Sequence, residues 1–307
     1  LVTLAELNRN LGKYDEAEDL AQKSQALFEQ CEDRRGIACA LYTLGMLRYR
    51  TGQVERAKTL LDESLAMSRE CGNRHVAMSA LNALGDVACH LGAYDEARLL
   101  FESCLQLGRE LNDRHSIAML LNNLGTILHV IEKYAEARPY YQESLDIRRQ
   151  IGDRSGQAIS LSNLGEVAYA LCSYDEALTY YQEALPIGRR TRDQWVILAC
   201  LNNLGETACA LEDYDNARTY LAEALTTAYE THTLAMLSKV LVSLAMLFAK
   251  CDRAAELLTL TSQHPASELD VKNRAQRLLA DLNLAPPEGA PRPLEIVAAE
   301  VLAELTR

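Results

Sequence analysis

The sequence predicts an all-α solenoid of about seven helix-turn-helix repeats closed by C-terminal capping helices. Three observations predict it. The string Leu-x-Asn-Leu-Gly returns every forty residues, at Leu121 to Gly125, Leu161 to Gly165 and Leu201 to Gly205, with looser copies at Leu41, Leu81 and Leu241. A second block follows each first Leu by thirteen residues: Tyr14-Asp15-Glu16-Ala17, Tyr94-Asp95-Glu96-Ala97, Tyr134-Ala135-Glu136-Ala137, Tyr174-Asp175-Glu176-Ala177 and Tyr214-Asp215-Asn216-Ala217. Two blocks per period mean two helices per repeat, and a unit this small cannot bury its apolar face unless neighbours stack. Finally, 49% of the 307 residues are hydrophobic, yet only three are Phe and one is Trp. The core is therefore built from Leu, Ala and Tyr at helical spacing, which favours helices over sheet.

The chain begins in register with Leu41 and Leu81, so Leu1 reads as lying inside a first helix that has lost its opening turn, as in an excised fragment. In the best repeat, Ala158, Leu161, Leu164, Gly165, Ala168 and Leu171 form the stripe of an amphipathic helix A. After Cys172-Ser173, the residues Tyr174, Ala177, Tyr181, Ala184 and Leu185 form helix B, with Asp175 and Glu176 in the first turn where the helix dipole favours negative charge. Turn formers recur between repeats at Glu32-Asp33-Arg34, Gly72-Asn73-Arg74, Asn112-Asp113-Arg114 and Gly152-Asp153-Arg154. Short turns make neighbouring helices antiparallel. Gly45, Gly85, Gly125, Gly165 and Gly205 sit inside helices at a cost of about 1 kcal/mol each against Ala, so another backbone is expected to approach closely there. Pro139 falls in an opening turn and is tolerable; Pro186, deeper in its helix, should kink it.

The last repeat is shortened, since Ala255 follows Ala217 by thirty-eight residues. A helix is expected from about Ser267 to Leu284, then a linker holding Pro286, Pro287, Pro291 and Pro293, then a closing helix from Leu294 to Leu305. This divides the chain into a solenoid at 1–263 and a cap at 264–307, with a Pro-rich linker at 285–293.

Composition narrows the function. The net charge of −12 would repel phosphate backbones, which argues against nucleic acid as a direct partner. No apolar run is long enough for a membrane helix and no charged-then-apolar leader precedes the first repeat. The nine Cys lie at 31, 39, 71, 89, 104, 172, 200, 209 and 251 with no Cys-x-x-Cys pair, and equivalents such as Cys89 and Cys209 are three repeats apart. Reduced thiols in a cytoplasm are expected. Cys89, His90 and His129 fall on adjacent helices, but none makes an i, i+4 ligand pair and a fourth ligand is missing, so neither metal nor cofactor is expected. The phosphate loop, nucleophile elbow and His-Glu-x-x-His signatures are absent, which argues against an enzyme.

With Ala158 as position one, Leu161, Leu164, Gly165, Tyr174, Ala177, Tyr181 and Ala184 resemble the tetratricopeptide repeat (TPR), here with forty residues per repeat, similar to kinesin light chains and the sensor arms of bacterial signal-transduction ATPases. The segments His264-Pro265-Ala266-Ser267, Arg274-Ala275 and Leu278-Leu279-Ala280 resemble the C-terminal ends of large bacterial proteins of the STAND class, in which an NTPase switch precedes a repeat domain that senses an inducer. The resemblance implies a right-handed solenoid whose helices A line a concave groove through positions 2, 5, 6, 9, 12 and 13.

Carried over by position, the ninth row is Glu6, Met46, Asp86, Thr126, Glu166, Glu206 and Met246, and the twelfth is Arg9, Tyr49, Cys89, His129, Tyr169, Cys209 and Ala249. The fifth and sixth rows hold Tyr42, Asn82, Asn122, Asn123, Ser162, Asn163, Asn202 and Asn203. By its likeness to kinesin light chains, this asparagine ladder would grip an extended peptide; alternatively the amides bond neighbouring helices or water. The groove candidates are therefore Tyr42, Tyr49, Asn82, Asp86, Asn122, Asn123, Thr126, His129, Ser162, Asn163, Glu166, Tyr169, Asn202, Asn203 and Glu206. Arg9, Arg50, Lys239 and Lys250 lie toward the ends, whereas Asp86, Glu166 and Glu206 lie in the middle, so a ligand with a basic centre would suit. The fifth row lacks the Lys that a two-carboxylate clamp needs.

These expectations describe a non-catalytic arm that binds a peptide, protein or small-molecule inducer and acts on an upstream NTPase domain. The alternative is a constitutive scaffold without a switch.

Overall fold

A computed structural model describes residues 1–248, 252–285, 287 and 292–305. Ala249, Lys250, Cys251, Pro286 and Pro291, named above, lie outside the described residues. The helices are α1 (Val2–Asn10), α2 (Tyr14–Gln30), α3 (Arg34–Arg50), α4 (Val54–Glu70), α5 (Arg74–His90), α6 (Tyr94–Glu110), α7 (Arg114–Val130) and α8 (Tyr134–Ile151). They continue as α9 (Arg154–Ala170), α10 (Tyr174–Thr191), α11 (Gln194–Ala210), α12 (Tyr214–Glu230), α13 (Leu234–Leu247), α14 (Asp252–Gln263), α15 (Leu269–Asp281) and α16 (Leu294–Leu305). Among the described residues there is no strand, and consecutive helices pack in pairs: the chain is an all-α solenoid. It divides into two compact units, Leu1–Ile147 and Arg148–Arg307.

The joints are more regular than the sequence motif. A residue with positive φ closes each helix from α1 to α12 at twenty-residue intervals: Gly12, Glu32, Gly52, Gly72, Gly92, Asn112, Glu132, Gly152, Cys172, Arg192, Glu212 and His232. The residue after it caps the next helix. Asp33, Asn73, Asp113, Asp153 and Asp193 each accept a hydrogen bond from the backbone N–H three residues on, which satisfies one of the donors that a helix start leaves open.

The helix-A glycines correct one expectation. A Cβ on Gly45, Gly125, Gly165 or Gly205 would lie 2.8, 2.8, 2.5 or 2.5 Å from the side chain of Leu61, Tyr141, Tyr181 or Leu221, and one on Gly85 would strike Phe101. What approaches is chiefly the large side chain sixteen residues later, on helix B of the same repeat, rather than a backbone. Tyr141, Tyr181 and Phe101 are fully buried in this way. Pro186 lies inside α10, which continues past it from Tyr174 to Thr191.

In the first unit, α1 packs on α3 and α3 on α5; in the second, α9 packs on α11 and α11 on α13. Helices A thus lie side by side as α1, α3 and α5 in the first unit and as α9, α11 and α13 in the second. Helices B are tied across repeats by exposed ion pairs, Arg109 to Glu143, Arg149 to Glu183 and Arg189 to Glu223, each worth no more than about 1 kcal/mol. At the end of the second unit, α15 packs on α13 and α14 while α16 packs on α12, α13 and α14. Arg218 of α12 donates to the carbonyls of Glu304 and Leu305, supplying a cation and donors to the open end of α16. No helix among the described residues is long and apolar enough to cross a membrane.

Candidate functional site

The helix-A rows set out above divide into two surroundings. In the first unit, Tyr42 and Tyr49 of α3, Asn82 and Asp86 of α5, and Asn123 and His129 of α7 are half-buried; Asn122 is buried and Thr126 is exposed. Burial raises the Tyr42 hydroxyl even though Arg9 bonds to it, and raises that of Tyr49. Tyr49 also donates to the carbonyl oxygen of Asp86 at 3.5 Å and meets the His90 ring edge-on. Thr126 accepts from the Tyr141 hydroxyl at 3.2 Å, and the His129 ring packs edge-on against Tyr134.

Asn82 and Asp86 are one helical turn apart and share a face. The Asn82 Oδ1 is buried without a hydrogen-bond partner. No ion pair or hydrogen bond among the described residues engages the Asp86 carboxylate. Desolvation lifts its pKa to about 6, with Arg50 pulling it down only through space. Burial likewise pushes Cys89 up to about 11, with Asp86 adding to the rise.

In the second unit the corresponding positions are closed. Asn202 is 0% exposed and Asn203 and Glu206 are each 7% exposed. The Glu206 carboxylate receives Arg274 of α15 bidentately, Nη1 to Oε1 at 2.7 Å and Nη2 to Oε2 at 2.9 Å. Asn202 Nδ2 donates to Glu206 Oε1 at 3.0 Å, and the single Ser243 hydroxyl hydrogen is shared between Asn202 Oδ1, at 2.8 Å, and Glu206 Oε1. Asn203 Nδ2 donates to Glu166 Oε1 at 3.2 Å. Burial alone would raise the Glu206 pKa, but Arg274, Ser243 and Lys239 overcome it and hold the carboxyl at about 2. Tyr169 is half-buried near Glu206 and Arg274 and is pushed up to about 12, chiefly by burial. Glu166 and Asn163 are half-buried; Ser162 is buried beside Cys200.

The candidates therefore do not form one uniform row. Asn202 has no exposed surface and both ends of its amide are bonded within the protein, so it presents nothing to a ligand in this arrangement. Sequence reasoning missed Arg274 and Ser243 as members of this cluster. A signal for Arg274 was present, for it lies three residues after Val271 and one before Ala275, the two residues that α15 buries. A separate cleft of about 670 Å³ in the first unit is lined by Glu102, Leu105, Gln106, Arg109, Leu121, Leu124, Pro139, Tyr140 and Glu143, none of them a predicted site residue. Among the described residues no cysteines are joined and no three His, Cys, Asp or Glu side chains group to hold a metal ion.

Comparison with known proteins gives the family. Profiles of the tetratricopeptide repeat match residues 1–70, 75–150, 116–190 and 197–232. No curated protein matches the chain in sequence. Solved structures of similar fold include the apo form of RapI, 16% identical over 91% of this chain and 97% of that one, TM-score 0.70. Another is the apo form of the quorum sensor NprR from B. thuringiensis, 13% identical over 100% and 86%, TM-score 0.70. A third is a signal transduction ATPase with numerous domains (STAND) from Pyrococcus horikoshii with a tetratricopeptide repeat sensor, 17% identical over 98% of this chain but only 50% of that one, TM-score 0.64. With repeat profiles covering well over half of its residues and paired helices stacking as those profiles require, the chain belongs to the tetratricopeptide repeat family.

Proposed function

We propose that the chain is the inducer-sensing arm of a larger bacterial STAND NTPase, cytoplasmic and non-catalytic, which captures a peptide, protein or small molecule on the inner face of its helices A. One observation carries this reading. In the first unit the packing rows are filled, yet Asn82 Oδ1 is buried without a partner and the half-buried Asp86 carboxylate beside it has no ion pair among the described residues. Desolvated acceptors without donors cost stability unless something else satisfies them, and a ligand does so. Two proteins of this fold are described as a quorum sensor and as a STAND protein with a repeat sensor, which supports the same role here. An occupied arm would drive an attached switch only through unequal affinity for its two states.

The open reading frame ahead of Leu1 tests the attachment. A phosphate-binding loop followed by a winged helix is expected, and a frame without an NTPase overturns the sensor-arm reading. Native mass spectrometry of the protein from its own host tests the binding face: the bound species expected on the wild type should be lost from the Asp86→Asn variant.

A further inference from the structure

Asn202 and Glu206 hold the fifth and ninth repeat positions in α11; Asn202 Nδ2 bonds Glu206, and the Glu206 carboxylate takes the guanidinium of Arg274. Three periods earlier, Asn82 and Asp86 hold the same two positions of α5. The surroundings correspond as well. Tyr49 has the place of Tyr169, and Asn123 stands where Ser243 bonds the second pair. What differs is the cation. Arg274 grips Glu206, whereas the closest positive influence on Asp86, Arg50, makes no ion pair with it.

The missing chemistry is specific. Asn82 Oδ1 and the Asp86 carboxylate are both acceptors, so their complement is a donor that also carries positive charge. A guanidinium offers a planar fork of donors that meets a carboxylate bidentately, with further N–H groups left for an amide oxygen one turn away. An ammonium is more strongly hydrated and presents its donors as a point charge. Asn123 of the sixth row and the Tyr49 hydroxyl of the twelfth offer polar groups for a peptide main chain. We propose that Asn82 and Asp86 form a slot for an arginine side chain of a peptide ligand, the open counterpart of the slot that Arg274 fills. The proposal rests on the inner-face binding reading above and specifies its ligand.

The test uses fluorescein-labelled hexapeptide pools, randomised at five positions and fixed at the third as arginine or citrulline, with affinity read by anisotropy. Citrulline keeps the shape and loses the charge. The arginine pool should bind at least about tenfold more tightly than the citrulline pool, the effect of one desolvated charge pair. Asp86→Asn and Asn82→Ala should each abolish that preference, while Asp95→Asn on the outer surface should preserve it. Asp86→Asn is isosteric and removes a half-buried charge, so circular dichroism should show it folded. Equal binding of the two pools, or an arginine preference that survives Asp86→Asn, overturns the slot and leaves inner-face binding intact. Binding by neither pool overturns the slot; loss of the host-derived bound species from wild-type protein as well would remove the reading beneath it.

Discussion

The pairs Asn82–Asp86 and Asn202–Glu206 occupy identical positions in the repeat and are in opposite electrostatic states. In the first unit the carboxylate is partly desolvated, unpaired and raised to about 6; in the second it is buried, gripped by Arg274 and lowered to about 2. Burial pushes both upward. The difference is the partner, and it shows that register within a repeat fixes where a side chain points but leaves its energetics to whatever reaches it from elsewhere in the chain.

The comparison breaks most sharply at Arg274. Arg274→Gln leaves Glu206 enclosed without its cation and should destabilise the second unit by about 3 kcal/mol in urea unfolding; this is the lower end of the range for breaking a buried pair, because the Arg274 side chain is itself 35% exposed. Adding Glu206→Gln should restore part of the loss, and no restoration would mean that Arg274 matters through packing alone. Packing itself should not distinguish the units. Gly125→Leu and Gly165→Leu drive a side chain into Tyr141 and Tyr181 respectively, and each should cost about 2–3 kcal/mol in the same assay. A large disparity would show that one unit repacks more easily.

The pH dependence should have opposite signs in the two units. Asp86 has a raised pKa, so its charge weakens the folded state above about pH 6 and the penalty vanishes as the pH falls toward its ordinary value near 4. Asp86→Asn should therefore stabilise the protein by about 2 kcal/mol at pH 7.5 and change little at pH 4. Glu206 has a depressed pKa, so its contribution is present above about pH 4.5 and is lost as the pH falls toward 2. Thermal melts of Glu206→Gln should accordingly show destabilisation at pH 7 that disappears in strong acid. If both variants shift the melt in the same direction at pH 7.5, the contrast between the two pairs is wrong. The smallest effect is conformational: Glu132→Gly in one unit and Cys172→Gly in the other relieve a left-handed backbone and should each add about 1 kcal/mol.

Helices A and B, their antiparallel order and the packing rows were legible from Leu-x-Asn-Leu-Gly and Tyr-Asp-Glu-Ala because packing repeats at every copy. The closure over Glu206 was not. Arg274 lies sixty-eight residues away, beyond the shortened repeat that ends the regular numbering, so no period connects the two. Asn82 and Asn202 look alike in the sequence because the letter records an amide and not its partners. For the same reason, replacing Asn122, Asn163 and Asn202 together by Ala, innocuous to stability in a simple ladder, now carries a cost from the Asn202 position, where a buried network would lose its centre. The glycines misled in a different way. They signalled close approach correctly, but the approaching group was visible only in the bulky residues Leu61, Phe101, Tyr141, Tyr181 and Leu221, each sixteen places further on.

The left-handed joints carry a consequence for how such a chain changes length. Because the same backbone conformation ends each helix from Gly12 to His232, a forty-residue module can be duplicated or deleted between any two joints without redesigning a connection. Recombination within the gene would then change the number of residues between the unfilled carboxylate and the occupied one only in whole modules, so their separation along the sequence is inherited as an integer.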